Sequence, residues 1–103
     1  MKKINWNSEK NEKLIAERSV CFEDVFYRLE NGDLLDDIEH PNQEKYPNQS
    51  VFIFEINNYV YFVPYVENET EIFLKTIIPS RKFTKKYLGA TPWLSETMKN
   101  KHY

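Results

Sequence analysis

Seven of the fourteen basic residues fall in the last thirty positions: Lys75, Arg81, Lys82, Lys85, Lys86, Lys99 and Lys101, with Glu96 the one acid among them. Cations gathered this way can bind a polyanion, and Arg81 is the best placed of them. A guanidinium is planar, always charged and grips a phosphate with two parallel N–H groups. Arg81 follows the apolar stretch Ile77-Ile78-Pro79-Ser80 and opens a helical one. It therefore falls at a strand-to-helix junction, where orphan backbone N–H groups also favour an anion. Lys75, Lys82, Lys85 and Lys86 can hold neighbouring phosphates, and Lys10 and Lys13, at i and i+3 on one helical face, can join them. For proton transfer the candidate is His40, beside Pro41, because imidazole titrates near neutrality. Tyr87, directly after the basic run, suits contact with a ring or a sugar. No metal or other cofactor is expected. Cys21 alone cannot form a thiolate site, and the acids Asp33, Asp36, Asp37 and Glu39 lack the alternation of a calcium loop. The competing reading of each residue is bland: a solvated helix face for the lysines and an exposed loop residue for His40.

Charge by segment sharpens this. Residues 1–20 carry a balance of +2, residues 21–73 of −10 and residues 74–103 of +6, so the total of −2 conceals an acidic middle and a basic end. Either the two halves pair internally, or the ends bind a polyanion while the middle meets a cationic partner. The length, 103 residues, fits a single domain over 1–103, with 89–103 as a tail docked through Trp93. Apolar residues at 41% and aromatics at 16% supply a real core. The longest apolar run, Tyr59 to Val66, is interrupted by Pro64 and is far short of a membrane span. With no apolar stretch behind Met1 and a lone cysteine, the expected compartment is the cytoplasm.

The elements follow from periodicity. Ile4 and Trp6 alternate with polar residues as a short opening strand, and Ser8 to Arg18 reads as a helix capped by Asn7 or Ser8. Phe22, Val25, Phe26 and Leu29 recur at i, i+3, i+4 and i+7, predicting a helix over 22–31 that stops at Gly32. Leu34 to Ile38 is a strand or a connector, and His40 to Ser50 a loop. Val51 to Ile56 and Tyr59 to Val66 form a hairpin around Asn57-Asn58, since asparagine tolerates the positive φ of a two-residue turn. That turn pairs Ile56 with Tyr59, Phe54 with Tyr61 and Phe52 with Val63. Ile53, Val60 and Phe62 make the other face apolar too, so the sheet must be covered on both sides, by helices on one and by a tail or partner on the other. Ile72 to Pro79 is a third strand and Arg81 to Leu88 a basic helix closed by Gly89. The expected core is Trp6, Phe22, Val25, Phe26, Phe52, Phe54, Tyr61, Val63, Ile72, Leu74 and Ile77. Tyr59, Tyr61, Phe62 and Tyr65 have the spacing of packed strand residues rather than of a stacking platform.

Asn5-Trp6-Asn7 with Lys10-Asn11, then Val20-Cys21-Phe22-Glu23-Asp24, resembles the opening of BrnT-type toxins, and Ile77-Ile78-Pro79-Ser80-Arg81 with the basic residues after it is similar to their Ile-Ile-Ser-Ala-Arg segment. The resemblance covers about residues 4–88. Departures are Glu17-Arg18-Ser19 in place of Lys-His-Gly, Cys21 in place of serine and Phe83 in place of alanine. The resemblance implies an α+β, RelE-like antiparallel sheet with two N-terminal helices and a basic C-terminal helix. It also implies a ribonuclease toxin, acting on RNA free or on the ribosome, that pairs with a ribbon-helix-helix antitoxin and meets DNA only through it. In such a toxin the 2′-hydroxyl attacks the neighbouring phosphate without a metal. Arg81, Lys75 and His40 would be the catalytic groups, and Lys10, Lys13, Lys82, Lys85, Lys86 and Tyr87 would hold RNA. The alternative is a noncatalytic module that binds a basic partner through the acidic middle.

Overall fold

A computed structural model describes residues 2–89. Its centre is the hairpin of β3 (Ser50–Ile56) and β4 (Tyr59–Glu67), paired in the predicted register: Ile56 faces Tyr59, Phe54 faces Tyr61 and Phe52 faces Val63. Asn57 and Asn58 turn the chain with φ of 54° and 65°. β2 (Asp36–Glu39) adds antiparallel to β3, so the 34–38 stretch is a connector through Leu34 and Leu35 and a strand from Asp36 onward. On the other side of β4 the expected strand 72–79 splits in two. β5 (Glu71–Leu74) pairs with Tyr65–Glu67, and β6 (Ile78–Pro79) with Tyr61 and Phe62. Pro64 explains the break: it accepts from Lys75 N at 2.8 Å but has no N–H to return, so the ladder lapses opposite it. β1 (Lys3–Trp6) completes the order β1-β5-β4-β3-β2 by joining β5 in parallel, so the sheet is mixed at that edge and antiparallel through the rest.

With α1 (Ser8–Arg18), α2 (Phe22–Glu30) and α3 (Arg81–Leu88), the described chain is α+β, with two helices between β1 and β2 and one after β6. α1 and α2 cover the first face. Leu14, Phe22 and Val25 pack there against Phe52, Phe54, Val63, Leu74 and Ile77. The second face, Val51, Ile53 and Val60, is covered by Phe83 of α3, with Tyr87 and Leu88 beside it. Among the described residues the second cover is the basic helix itself. The expected docking of 89–103 through Trp93 lies outside the described residues beyond Gly89. No helix among the described residues is long and apolar enough to cross a membrane.

Asn11 joins the two N-terminal helices. Its buried side chain accepts from Phe22 N at 2.7 Å and donates to Glu23 Oε1 at 2.7 Å. Cys21 at the N-cap makes no capping hydrogen bond with its side chain, so α2 is capped from α1 instead. Without that acceptor a buried N–H would be stranded, at about 1–3 kcal/mol.

One core expectation is corrected. Phe26 remains 39% exposed, whereas Phe22 and Val25 are fully buried. The sheet meets the middle of the apolar stripe on α2, and Phe26 lies at its edge, 6.5 Å from the Trp6 ring. Trp6, Tyr61 and Ile72 pack against the core while only partly buried. Accordingly Phe54→Ala, which empties a fully enclosed position, should cost about 3–5 kcal/mol in urea unfolding. Phe26→Ala should cost less than about 2 kcal/mol, and equal losses at the two sites would contradict this packing.

Candidate functional site

α3 is fastened to β4 where the sheet has run out of strands. Ser80 N donates to Val60 O at 2.9 Å, and Val60 N donates to Thr84 Oγ1 at 2.9 Å. The Thr84 hydroxyl in turn donates to Ser80 O at 2.7 Å, and Ser80 Oγ accepts from Phe83 N at 3.1 Å as the helix N-cap. The free N–H and C=O of Val60 are both satisfied this way, and the first turn of α3 is fixed in place. Arg81 and Lys82 lie in that turn, exposed and without an ion pair to any described residue, and no acid accompanies them. Cations at the positive end of a helix are unfavourable by about 0.3–1 kcal/mol each. Fold stability gives no reason for them; an anion docked there would relieve the repulsion.

The same face carries a recess of about 230 Å³ lined by His40, Tyr46, Gln49, Phe62, Pro64, Lys75, Thr76 and Ile78. Two elements supply its sides. One is the break between β5 and β6, which leaves Lys75 and Thr76 outside the ladder. The other is the 40–49 loop, closed by His40 N donating to Gln49 O at 3.0 Å. Gln43 Nε2 ties the loop internally, donating to His40 O at 2.8 Å and to Gln49 O at 3.2 Å. The His40 ring lies 4.4 Å from Tyr46 and 6.4 Å from Phe62. Phe62 packs edge-on to Phe83 at 5.7 Å, so the recess and the first turns of α3 share one wall.

His40 is held in one protonation form. Its Nδ1 accepts from Asn42 N at 3.0 Å, and burial pulls its pKa below the ordinary 6.5. At neutral pH the ring is uncharged with its proton on Nε2, which makes it a hydrogen-bond donor with no lone pair free to act as a base. Positive charge near the recess comes from Lys75, exposed at the rim and 5.6 Å from the Phe73 ring, and from α3.

The predicted residues do not form one cluster. His40 and Lys75 meet in the recess, and Arg81 follows three positions after Ile78 of its lining. Lys82 and Lys85 extend the basic surface along the exposed side of α3. Tyr87 and Lys86 lie at the far end of that helix. The Tyr87 hydroxyl donates to Asp36 Oδ2 at 2.7 Å, and Lys86 lies 5.4 Å from the Tyr87 ring. That hydrogen bond, with the Asp37 N–H, holds the Asp36 carboxyl below its usual range; burial, then Asp36, pushes the Tyr87 hydroxyl up. Lys10 and Lys13 belong to α1 on the opposite face, interspersed with Glu9 and Glu12. Arg18 spends its guanidinium on Ile77 O at 2.7 Å. Tyr46, Gln49, Phe62 and Thr76 were not foreseen as site residues; an aromatic residue inside an otherwise polar loop was the signal for Tyr46. Internal pairing of the acidic and basic segments is slight among the described residues. Among the described residues the ion pairs are Lys2 with Glu67 at 2.6 Å and Arg28 with Asp24 at 3.0 Å. No group of three or more potential metal ligands is gathered among the described residues.

No family model, curated protein or solved structure matches the chain.

The depressed His40 pKa links stability to pH. The unfolded chain takes up a proton near 6.5 before the folded one does. Stability is therefore full above that value and declines as pH falls through the lowered folded value. Glu23, held down by Asn11, and Asp36, held down by Tyr87, act only in the more acidic carboxylate range. Urea midpoints should fall between about pH 7 and about pH 5, and His40→Asn should flatten that slope. A parent protein equally stable across the window would show that His40 is not buried neutral.

Proposed function

We propose that the chain is the ribonuclease toxin of a toxin–antitoxin pair, cleaving RNA by attack of a 2′-hydroxyl on the adjacent phosphate without a metal. The observation that carries the reading is the first turn of α3, where Arg81 and Lys82 are fixed by the bonds at Val60, stand at the positive end of a helix and have no carboxylate partner among the described residues. The resemblance of residues 4–88 to BrnT-type toxins supports the same reading. In the reaction the 2′-oxygen would bond to phosphorus as the P–O5′ bond breaks, the hydroxyl proton passing to water and the leaving 5′-oxygen taking one from water. Arg81 would stabilise the charge that builds on the phosphorane, and Lys75 and the His40 Nε2–H would hold the neighbouring nucleotide. Lys82 and Lys85 would hold flanking phosphates. The placement of Lys10 and Lys13 on the other face removes them from this set. The acidic middle, little paired among the described residues, suits a basic segment of a ribbon-helix-helix antitoxin, and such an association would be fast and salt-sensitive.

Expression of the chain alone should arrest growth, and Arg81→Ala should relieve the arrest while lowering cleavage of RNA by the purified protein about 100-fold or more. Its melting temperature should be equal to the parent's or higher, because a cation is removed from the helix N-terminus. An Arg81→Ala variant that stays folded and is as toxic as the parent would refute the proposal.

A further inference from the structure

The recess is built for something flat. Its floor is Phe62 and Pro64 of β4, with Tyr46 and the His40 ring on one side and Ile78, Thr76 and Lys75 on the other. At about 230 Å³ it is smaller than the roughly 300–1,000 Å³ of sites that enclose drug-sized molecules, so it admits one small ring system and not two. Three rings converge on it, with His40 within 4.4 Å of Tyr46 and 6.4 Å of Phe62. Polar groups at its margin are left over once the bonds among the described residues are made. His40 Nδ1 is used by Asn42 N, so Nε2–H is the remaining donor of that ring. The Gln49 carboxamide, with donor and acceptor together, bonds to no other described residue: in this loop the Gln49 backbone is engaged and its side chain is not. Lys75 has no ion pair among the described residues.

An apolar side chain from a partner protein would fill the walls but would bury these polar groups without partners, which is costly. A heterocycle with hydrogen-bonding edges and a phosphate one sugar away satisfies walls, margin and cation together. Bases are available in that form only where RNA is single-stranded and a base can be splayed out to stack on an aromatic side chain. We propose that the recess holds one unstacked nucleobase of single-stranded RNA, stacked on Tyr46 over the Phe62 floor, with its phosphate on Lys75. The choice of RNA rests on the ribonuclease reading, and the recess would position the strand so that the next phosphate meets the first turn of α3.

The test uses the full chain and the four nucleoside 5′-monophosphates, with ribose 5-phosphate as the base-free probe. Binding is followed through the backbone amide resonances of residues 40–49 and Thr76. At least one nucleotide should shift these amides, and ribose 5-phosphate should not. Tyr46→Leu should weaken the nucleotide at least tenfold, and Tyr46→Phe, which keeps the ring, should bind as the parent does. Lys75→Gln should weaken nucleotides more than the corresponding nucleosides. Equal shifts with ribose 5-phosphate, or no shift with any nucleotide, would overturn the proposal. The two readings fail separately. Nucleotide binding by a chain that cleaves no RNA would remove the ribonuclease and leave the recess standing. Cleavage by Tyr46→Leu with unchanged KM would remove the recess and leave the ribonuclease.

Discussion

Everything in this fold answers to a hairpin that is apolar on both faces. Along β3, Val51 and Ile53 point to one side and Phe52, Phe54 and Ile56 to the other; all five are buried, and Glu55 is the one charged side chain of the strand. A strand with one wet face can leave that face bare; this one cannot. The N-terminal helices cover the first side, and a third helix must cover the second. The helix available is α3, which buries only Phe83 and Thr84 fully and turns Arg81, Lys82, Lys85 and Lys86 outward. A basic surface on that side of the protein follows from a hydrophobic requirement: the same eight residues close the core and present the cations.

How far the sequence foretold this depends on the range of the interaction involved. Interactions between near neighbours were legible. Asn57-Asn58 fixed the hairpin register because a two-residue turn leaves no slack, and the helices followed from caps and periodicity, α1 and α3 at their expected bounds and α2 ending at Glu30, one residue before the expected Asn31. Features set by distant partners were not. Periodicity places Phe26 on the apolar side of α2 but says nothing of how wide a stripe the sheet will meet. Arg81 was legible as a candidate because a junction is a local feature. The recess was not, because its two sides come from the 40–49 loop and the β5–β6 break, joined only by the hydrogen bonds of the folded chain. Lys10 and Lys13 were grouped with α3 by charge and by their i, i+3 spacing on one helix, and neither reports which face of the sheet that helix covers.

Three side chains tie the helices to the sheet and to one another. Phe83 fills the second face against Phe62. Cys21 supplies no side-chain cap to α2, and Asn11 supplies it from the neighbouring helix. Arg18 ties α1 to the Ile77 carbonyl just ahead of β6.

The edge strand β2 shows how the site keeps its shape. Four residues at a sheet edge are weakly held by their ladder alone, and β2 is fastened from both faces instead. Asp37 accepts from the Tyr65 hydroxyl at 2.6 Å on the side of α1 and α2, and Asp36 accepts from the Tyr87 hydroxyl at 2.7 Å on the side of α3. Burial, reinforced by Asp37, pushes the Tyr65 hydroxyl well up, so both tyrosines stay neutral donors at any physiological pH. Successive residues of a strand point to opposite faces, so an adjacent pair of aspartates is the shortest sequence that can reach both layers. His40 directly follows β2, and the 40–49 loop leads straight back into β3. The position of the imidazole is therefore inherited from the two aspartates before it. Part of the acidic middle is thus structural: Asp36 and Asp37 hold the strand that carries His40 to the recess, and the carboxylates left for a basic partner are the exposed ones elsewhere in the segment.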